Sequence, residues 1–209
     1  MSCNCIGIEK TFGEKNAKHK LKQYLKKGAG KETKTLINAF KNFNLKNKSL
    51  LDIGGGIGAI PIELAKQGVF GVTGVDASTH YLKIAKKEIS KILSDVKFIE
   101  GDFVDLADEI PEHDIVTLDK VICCYAGMER LVSYSAKKAK KYYAIIIPRE
   151  IFLIKLGLKL LNLIYLIIQN PMKVFAHKTD DVEKIIFENN FKNIFYSNTF
   201  AWQIRVYEK

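Results

Sequence analysis

Leu51-Asp52-Ile53-Gly54-Gly55-Gly56-Ile57-Gly58 is the most informative stretch of the chain. It continues a short aliphatic run from Leu50 to Ile53 and leads into a helical pattern over 58–67, so it reads as strand, glycine turn, helix. Glycines at such a junction admit positive φ and let backbone N–H groups approach a ligand closely, while the start of the next helix carries partial positive charge. A nucleotide-like ligand is therefore expected. Gly54, Gly56 and Ala59 fit the loose dinucleotide pattern G-x-G-x-x-A. Asp52 points elsewhere: a site that receives a pyrophosphate normally has an uncharged residue there, whereas a carboxylate suits a ligand with a cationic amino-acid end.

Downstream of this turn, β-branched runs at 69–75, 96–99, 115–118 and 142–147 alternate with helical patterns at 78–93 and 127–140. The alternation predicts a mostly parallel sheet with helices on both faces. After a helix over 179–189, the apolar stretches 194–200 and 202–207 follow with no helix between them, so they are expected to pair antiparallel. Upstream, residues 1–48 read as helical. Ala17, Leu21, Tyr24 and Leu25 fall on one face, Gly28-Ala29-Gly30 interrupts, and Leu36, Ile37, Phe40 and Phe43 form a second stripe after a Thr33 cap. The expected organisation is one α/β domain over 49–209 with an N-terminal helical cap over 1–48.

Composition agrees with a globular domain. Of 209 residues 47% are hydrophobic and 27% charged, with 4 prolines, which excludes collagen-like, coiled-coil and disordered readings. The N-terminus has no apolar run behind a basic cluster, so a cytoplasmic location with reduced Cys3, Cys5, Cys123 and Cys124 is expected. Residues 1–48 hold 12 lysines against Glu9, Glu14 and Glu32, or +9 of the +10 net charge. Solvated helix faces are the plain reading of those lysines, and attraction of an acidic partner is the sharper one.

Two further strand ends carry acids. Gly74-Val75-Asp76-Ala77-Ser78 places Asp76 where both hydroxyls of a ribose could donate to it, and Glu100-Gly101-Asp102-Phe103 offers a carboxylate for an adenine amino group and an aromatic wall for its ring. Together, D-x-G-x-G-x-G, the acid closing strand two and G-D-F after strand three resemble the class I S-adenosylmethionine-dependent methyltransferases. The resemblance covers 49–209 and implies a Rossmann-like, seven-stranded sheet with an antiparallel final hairpin. It implies S-adenosylmethionine as cofactor, with Gly54, Gly56 and Gly58 under its methionine part, Asp76 and Ala77 at the ribose, and Gly101, Asp102 and Phe103 around the adenine. Asp52 and Asp119 complete the expected cofactor set.

The same resemblance puts acceptor chemistry beyond strand four, in Asp114 to Tyr125. That segment lacks the N-P-P-Y or D-P-P-Y of adenine amino methylation and the Pro-Cys of cytosine-5 enzymes, so a nucleic-acid acceptor is disfavoured. A subgroup with C-x-C near the N-terminus, D-x-V-x-C-C-Y and a later Pro-Arg is most similar, here Cys3 and Cys5, Asp119 to Tyr125, and Pro148-Arg149. More distantly the chain resembles magnesium-protoporphyrin O-methyltransferases, which carry His-Tyr where this chain has Cys124-Tyr125. The expected activity is methylation of a small hydrophobic or planar acceptor at O, N or S. Asp119, Tyr125 and His177 are the catalytic candidates, and Phe12, Tyr24, Cys123, Cys124 and Arg149 line the acceptor side or a lid made by the N-terminal helices. The rival readings are a catalytically silent fold used as a binding scaffold and an NAD-binding oxidoreductase, the latter disfavoured by Asp52 and the terminal hairpin.

The four cysteines could meet if the N-terminus folds over the strand-four mouth, but C-x-C with C-C is not a usual zinc spacing and no metal is expected. His19, His80 and His113 are expected on surface helices or loops. Residues 151–168 contain 14 hydrophobic residues in 18, broken by Lys155, Gly157, Lys159 and Asn162. This helix is expected to serve as a lid or homodimer contact, or to lie in the plane of a membrane surface.

Overall fold

A computed structural model describes residues 5–209, with side chains from Gly7 onward. Three helices come first: α1 (Cys5–Thr11), α2 (Glu14–Lys27) and α3 (Lys31–Ala39). The chain then alternates β1 (Ser49–Ile53), α4 (Ala59–Ala65), β2 (Gly71–Asp76), α5 (Thr79–Ile89), β3 (Val96–Glu100), α6 (Phe103–Leu106), β4 (His113–Asp119), α7 (Met128–Lys137) and β5 (Ala139–Pro148). It closes with α8 (Phe152–Ile167), α9 (Thr179–Glu188), β6 (Lys192–Asn198) and β7 (Trp202–Glu208). The seven strands form one sheet in the order β3-β2-β1-β4-β5-β7-β6. β1 to β5 run parallel, β7 pairs antiparallel to β5, and β6 antiparallel to β7. Rossmann-like topology with a reversed final hairpin is therefore observed as expected.

Side-chain alternation sorts the core into two layers. Along β5, Tyr143, Ile145 and Ile147 face α7 and α9, where they meet Leu131, Val132, Val182 and Ile186. Tyr142, Ala144 and Ile146 face the other way, against Leu36 and Phe40 at the end of the N-terminal helices. The Tyr143 hydroxyl is buried and lies 2.7 Å from Ser135 Oγ, which keeps the deepest polar group of the layer satisfied. The crossover connections leave the C-terminal ends of β1, β2 and β4 side by side around the point where the chain switches from β1 to β4, the crevice that open parallel sheets use for ligands.

Three local expectations are corrected. Thr33 is not a cap: Gly30 occupies that position and Thr33 lies in the first turn of α3, with its hydroxyl turned inward. Leu25 is 68% exposed, because the stripe of α2 that packs is narrower, Ala17, Leu21 and Tyr24 at i, i+4 and i+7. His113 is buried at the start of β4, its ring nitrogens bonded to the Pro111 carbonyl and the Thr73 hydroxyl, and burial holds its pKa below the ordinary histidine value. A short helix, α6, follows β3, because the Asp102 carboxylate caps it by accepting from Val104 N–H at 3.0 Å. Cys3 lies outside the described residues, as does the side chain of Cys5, and with them the proposed meeting of the two cysteine pairs.

Candidate active site

The turn after β1 is built from its backbone outward. Gly54 N–H donates to the Val75 carbonyl at 2.6 Å, which ties the turn to the end of β2. Gly56 sits at φ +58° and its N–H donates to Asp76 Oδ2 at 3.0 Å, while Ser78 N–H donates to Asp76 Oδ1 at 2.9 Å. Asp76 thus holds the glycine turn and the start of α5 in one geometry while also standing in the wall of the cavity above them. Gly58 serves packing instead. At φ +78° it starts α4, and a Cβ there would press on Ala85 Cβ at 3.1 Å, so it lets α4 and α5 pack closely rather than lining the cavity.

Three carboxylates converge behind and around this turn. Asp52 is buried at the end of β1, accepting from the Thr117 hydroxyl at 2.6 Å. Burial pushes its pKa up to about 7, the Thr117 bond opposes this, and the charges of Asp119 and Asp76 add to it. Burial likewise raises Asp76 against the backbone N–H groups that hold it, and raises Asp119 against the attraction of Lys120. Asp119 Oδ2 accepts from the Thr33 hydroxyl at 2.5 Å. Its Oδ1 is buried without a hydrogen-bond partner among the described residues, with Lys120 Nζ at 3.9 Å. An anionic cradle with an orphaned acceptor requires a cationic donor to complete it, and the ammonium and sulfonium of S-adenosylmethionine have the matching charge. The residues present therefore fit that cofactor: the glycine turn and Asp119 would hold its methionine end and Asp76 its ribose.

A cavity of about 220 Å³ extends from the turn towards β3. Asp76 and Ala77 form one wall, Gly101, Asp102 and Phe103 the next, and Val121 and Tyr125 the one opposite. The Tyr125 hydroxyl donates to the Asp102 carboxylate at 2.8 Å, which orients Asp102 and spends the tyrosine proton there. Helix α1 closes the cavity with Ile8 and Phe12. It is clasped to the start of α5: Ser78 Oγ donates to the Phe12 carbonyl at 2.9 Å, and Thr79 Oγ1 donates to Glu9 Oε1 at 2.9 Å. A second cavity of about 560 Å³ lies across the glycine turn, between it and α2 and α3, and is rimmed by Lys20, Lys27, Tyr24, Thr33 and Lys120. Gly54, Gly56, Tyr81, Asp119 and Lys120 border both, so the two spaces meet at the end of β4.

The structure thus brings together Gly54, Gly56, Asp76, Ala77, Gly101, Asp102, Phe103, Asp119 and Tyr125, with Phe12 and Cys124 on the same wall and Tyr24 at the second cavity. Cys123 is buried beneath the wall, its Sγ on the Lys120 carbonyl. His177 stands behind Tyr125, its Nε2 2.9 Å from the Tyr125 carbonyl and its ring stacked on Phe175, so it buttresses the wall from outside. Arg149 also lies away from the cavities, donating from Nη1 to the Thr199 carbonyl at the β6–β7 turn. Sequence reading missed Thr33, Tyr81, Lys20, Lys27 and Ile8. The signal for Tyr81 was its place one turn after the Asp76-Ala77-Ser78 strand end, while Thr33 and the lysines carry none short of knowing how α2 and α3 fold back.

A sheet ordered 3-2-1-4-5-7-6 with one reversed strand is that of the class I methyltransferases, and the acidic cradle matches their cationic cofactor. Residues 50–141 match the family model described as a methyltransferase domain, and the chain has the fold of the S-adenosylmethionine-dependent methyltransferases of class I. Among solved structures, magnesium protoporphyrin IX methyltransferase (ChlM) from Synechocystis PCC 6803 with bound SAH is similar at TM-score 0.73 and 19% identity, covering 97% of this chain and 98% of that one. The putative methyltransferase of Haloferax volcanii, seen with its Trm112 activator, gives TM-score 0.69 and 12% identity over 97% and 95% of the two chains. An O-methyltransferase family 2 protein from Planctomyces limnophilus in complex with apigenin gives TM-score 0.65 and 18% identity over 94% of this chain and 61% of that one. The curated proteins contain no match to the sequence.

A pH dependence follows from Asp52. With its pKa raised to about 7, it is largely protonated in slightly acid solution and becomes an anion as pH rises, so a cationic ligand gains an attractive partner. Affinity for S-adenosylmethionine is expected to increase severalfold between about pH 6 and about pH 7.5, read by calorimetric titration, and Asp52→Asn should flatten the rise. A wild-type profile no steeper than that of the variant would contradict it. In the free protein the sign is opposite: the folded state keeps a proton that the unfolded chain loses between about pH 4 and about pH 7, so this group's contribution to stability falls as pH rises through that window.

Proposed function

We propose that the protein methylates an oxygen that is already anionic, a carboxylate by class, on a small acceptor with a hydrophobic, planar body. The observation that carries this is the make-up of the two cavities where they meet. Lys20, Lys27 and Lys120 rim the acceptor side, neither wall contains a histidine, and Asp76, Asp102 and Asp119 all already accept hydrogen bonds. With Asp119 Oδ1 turned to the cofactor, an acceptor needing deprotonation would find no base set aside for it there, whereas a carboxylate arrives ionised and is drawn by the lysines. S-adenosylmethionine, when bound, supplies an electrophilic methyl group on a positively charged sulfur.

The chain's own residues then do three things. The glycine turn, Asp76 and Asp119 fix the cofactor end; Lys120, held beside Glu32 at 3.3 Å and over the Trp202 ring, sets a positive charge at the meeting point; and Ile8 and Phe12 keep water out. In this reading α1 is the lid and Glu9 its latch. The neighbours named for magnesium protoporphyrin IX and crystallised with apigenin support the planar acceptor, since both molecules are flat and largely apolar.

The test is chemical. The protein is incubated with methyl-labelled S-adenosylmethionine and a solvent extract of cellular small molecules. The labelled product is expected to partition into organic solvent and to release its label as methanol in mild base, because methyl esters hydrolyse there and methyl ethers, amines and thioethers do not. Label that survives base overturns the carboxylate assignment.

A further inference from the structure

Helix α8 has no buried residue, although it is hydrophobic except at Lys155, Gly157, Lys159 and Asn162. Its inner edge, Ile154, Leu158, Leu161, Asn162 and Tyr165, is half-buried. The helix is pinned there to the segment that follows it: Asn162 Nδ2 donates to the Val174 carbonyl and Val174 N–H donates back to Asn162 Oδ1, both at 2.8 Å. The outer edge is left to solvent. Phe152, Leu153, Leu166 and Ile167 are 61% to 77% exposed, and Leu156, Leu160, Leu163 and Ile164 continue the same face between them. A contiguous apolar face of this length marks a contact surface rather than scatter.

We infer that α8 lies in the plane of an anionic lipid surface and docks the enzyme on it. Charge selects this occupant. Lys155 and Lys159 run along the border of the apolar face, where their stems can lie on acyl chains and their ammonium groups reach lipid phosphates. From 151 to 179 the chain carries Lys155, Lys159, Lys173 and Lys178 and no carboxylate, and Glu150 just before α8 lies 3.4 Å from Lys155 Nζ, leaving a net positive border. The lysine-rich N-terminal helices adjoin the far end of α8, through Lys10 Nζ on the Gln169 carbonyl and Asn170 Nδ2 on Thr11 Oγ1, both at 2.9 Å. A second copy of the chain on the same face would bring lysine borders together, and Glu150 beside them is already engaged by Lys155 and the Thr179 N–H. Spanning is excluded by length: 16 residues reach about 24 Å against a hydrocarbon core of about 30 Å, and no helix among the described residues is long and apolar enough to cross a membrane.

The placement joins docking to the active site. The segment after α8 returns along the cavity wall, where Phe175 N–H donates to the Cys123 carbonyl at 2.7 Å. Docking would therefore set the lipid surface next to the wall of the first cavity that Cys124 and Tyr125 form. The docking itself does not depend on which atom of the acceptor is methylated.

Flotation of the full chain with vesicles tests it, comparing phosphatidylcholine alone with mixed phosphatidylcholine and phosphatidylglycerol. Binding to the mixed vesicles is expected to exceed that to neutral ones by roughly tenfold or more and to weaken with salt. Leu160→Glu with Ile164→Glu should abolish it without changing affinity for S-adenosylmethionine, as both side chains already face solvent. Lys155→Glu with Lys159→Glu should remove the preference for the anionic lipid while leaving the apolar face intact, which keeps the test decisive if the first pair perturbs folding. Absence of flotation, equal binding to both vesicles, or a dimer in vesicle-free buffer that Leu160→Glu with Ile164→Glu breaks would each overturn the assignment.

Discussion

Gly56→Val is expected to give a folded protein that no longer binds S-adenosylmethionine measurably. Position 56 sits at φ +58°, a region that β-branched residues avoid, and a Cβ there would stand 3.3 Å from two carbons of the Tyr81 ring. Strain of about 2 kcal/mol would be relieved by rotating the turn, and rotation withdraws the N–H that Gly56 donates to Asp76. The sheet does not depend on this turn, since β1 is held by β2 and β4 on either side, so circular dichroism should be unchanged and melting lowered by only a few degrees. Calorimetric titration should show affinity reduced by about 100-fold or more, equivalent to roughly 2.7 kcal/mol. Retained affinity in the variant would mean that the cofactor does not approach the backbone at this point. Gly56→Ala, with less strain and no branched atoms, should fall between the two.

Removal of the Asp76 carboxylate is expected to weaken S-adenosylmethionine binding by roughly 1.5 to 3 kcal/mol, the range for hydrogen bonds to a charged group. The carboxylate acts twice: its oxygens hold Gly56 and Ser78 N–H at 3.0 and 2.9 Å, and its free lone pairs face the cavity. Asp76→Ala would therefore remove the acceptor expected for the ribose and loosen the glycine turn together. Asp76→Asn separates these parts, because its amide oxygen can keep one backbone donor, and should recover part of the lost affinity. Wild-type affinity in a folded Asp76→Ala protein would remove this residue from the site.

The architecture was legible because its signals are local. β-Branched runs ending at Ile53, Val75, Ile99 and Leu118 mark parallel strands to within a residue or two of their observed bounds, and the absence of a helix between 194 and 207 marks the reversed hairpin. The glycine turn and the acids at the strand ends announce a cofactor through chemistry that adjoining residues supply by themselves. Thr33 shows where such reading stops: a threonine three residues after a glycine reads as a helix cap, and only the folding of α3 across the sheet turns its hydroxyl onto Asp119, 86 positions away.

The α/β class, the parallel character of the sheet, the binding turn and its carboxylates each depend on residues near one another in the chain, and the amino-acid order alone was enough to establish them. What those groups do was settled by packing. It made Asp52 a buried charge with its pKa near 7, spent the Tyr125 proton on Asp102, left Asp119 Oδ1 without a partner, and moved His177 behind the wall it was expected to line. Packing also determined which face of α8 meets solvent, since an all-apolar helix has no periodic pattern to declare its inner side and the Asn162 clasp on Val174 fixes it. Burial, and with it charge state and exposure, is a property of how distant segments pack, and no short window of residues encodes it.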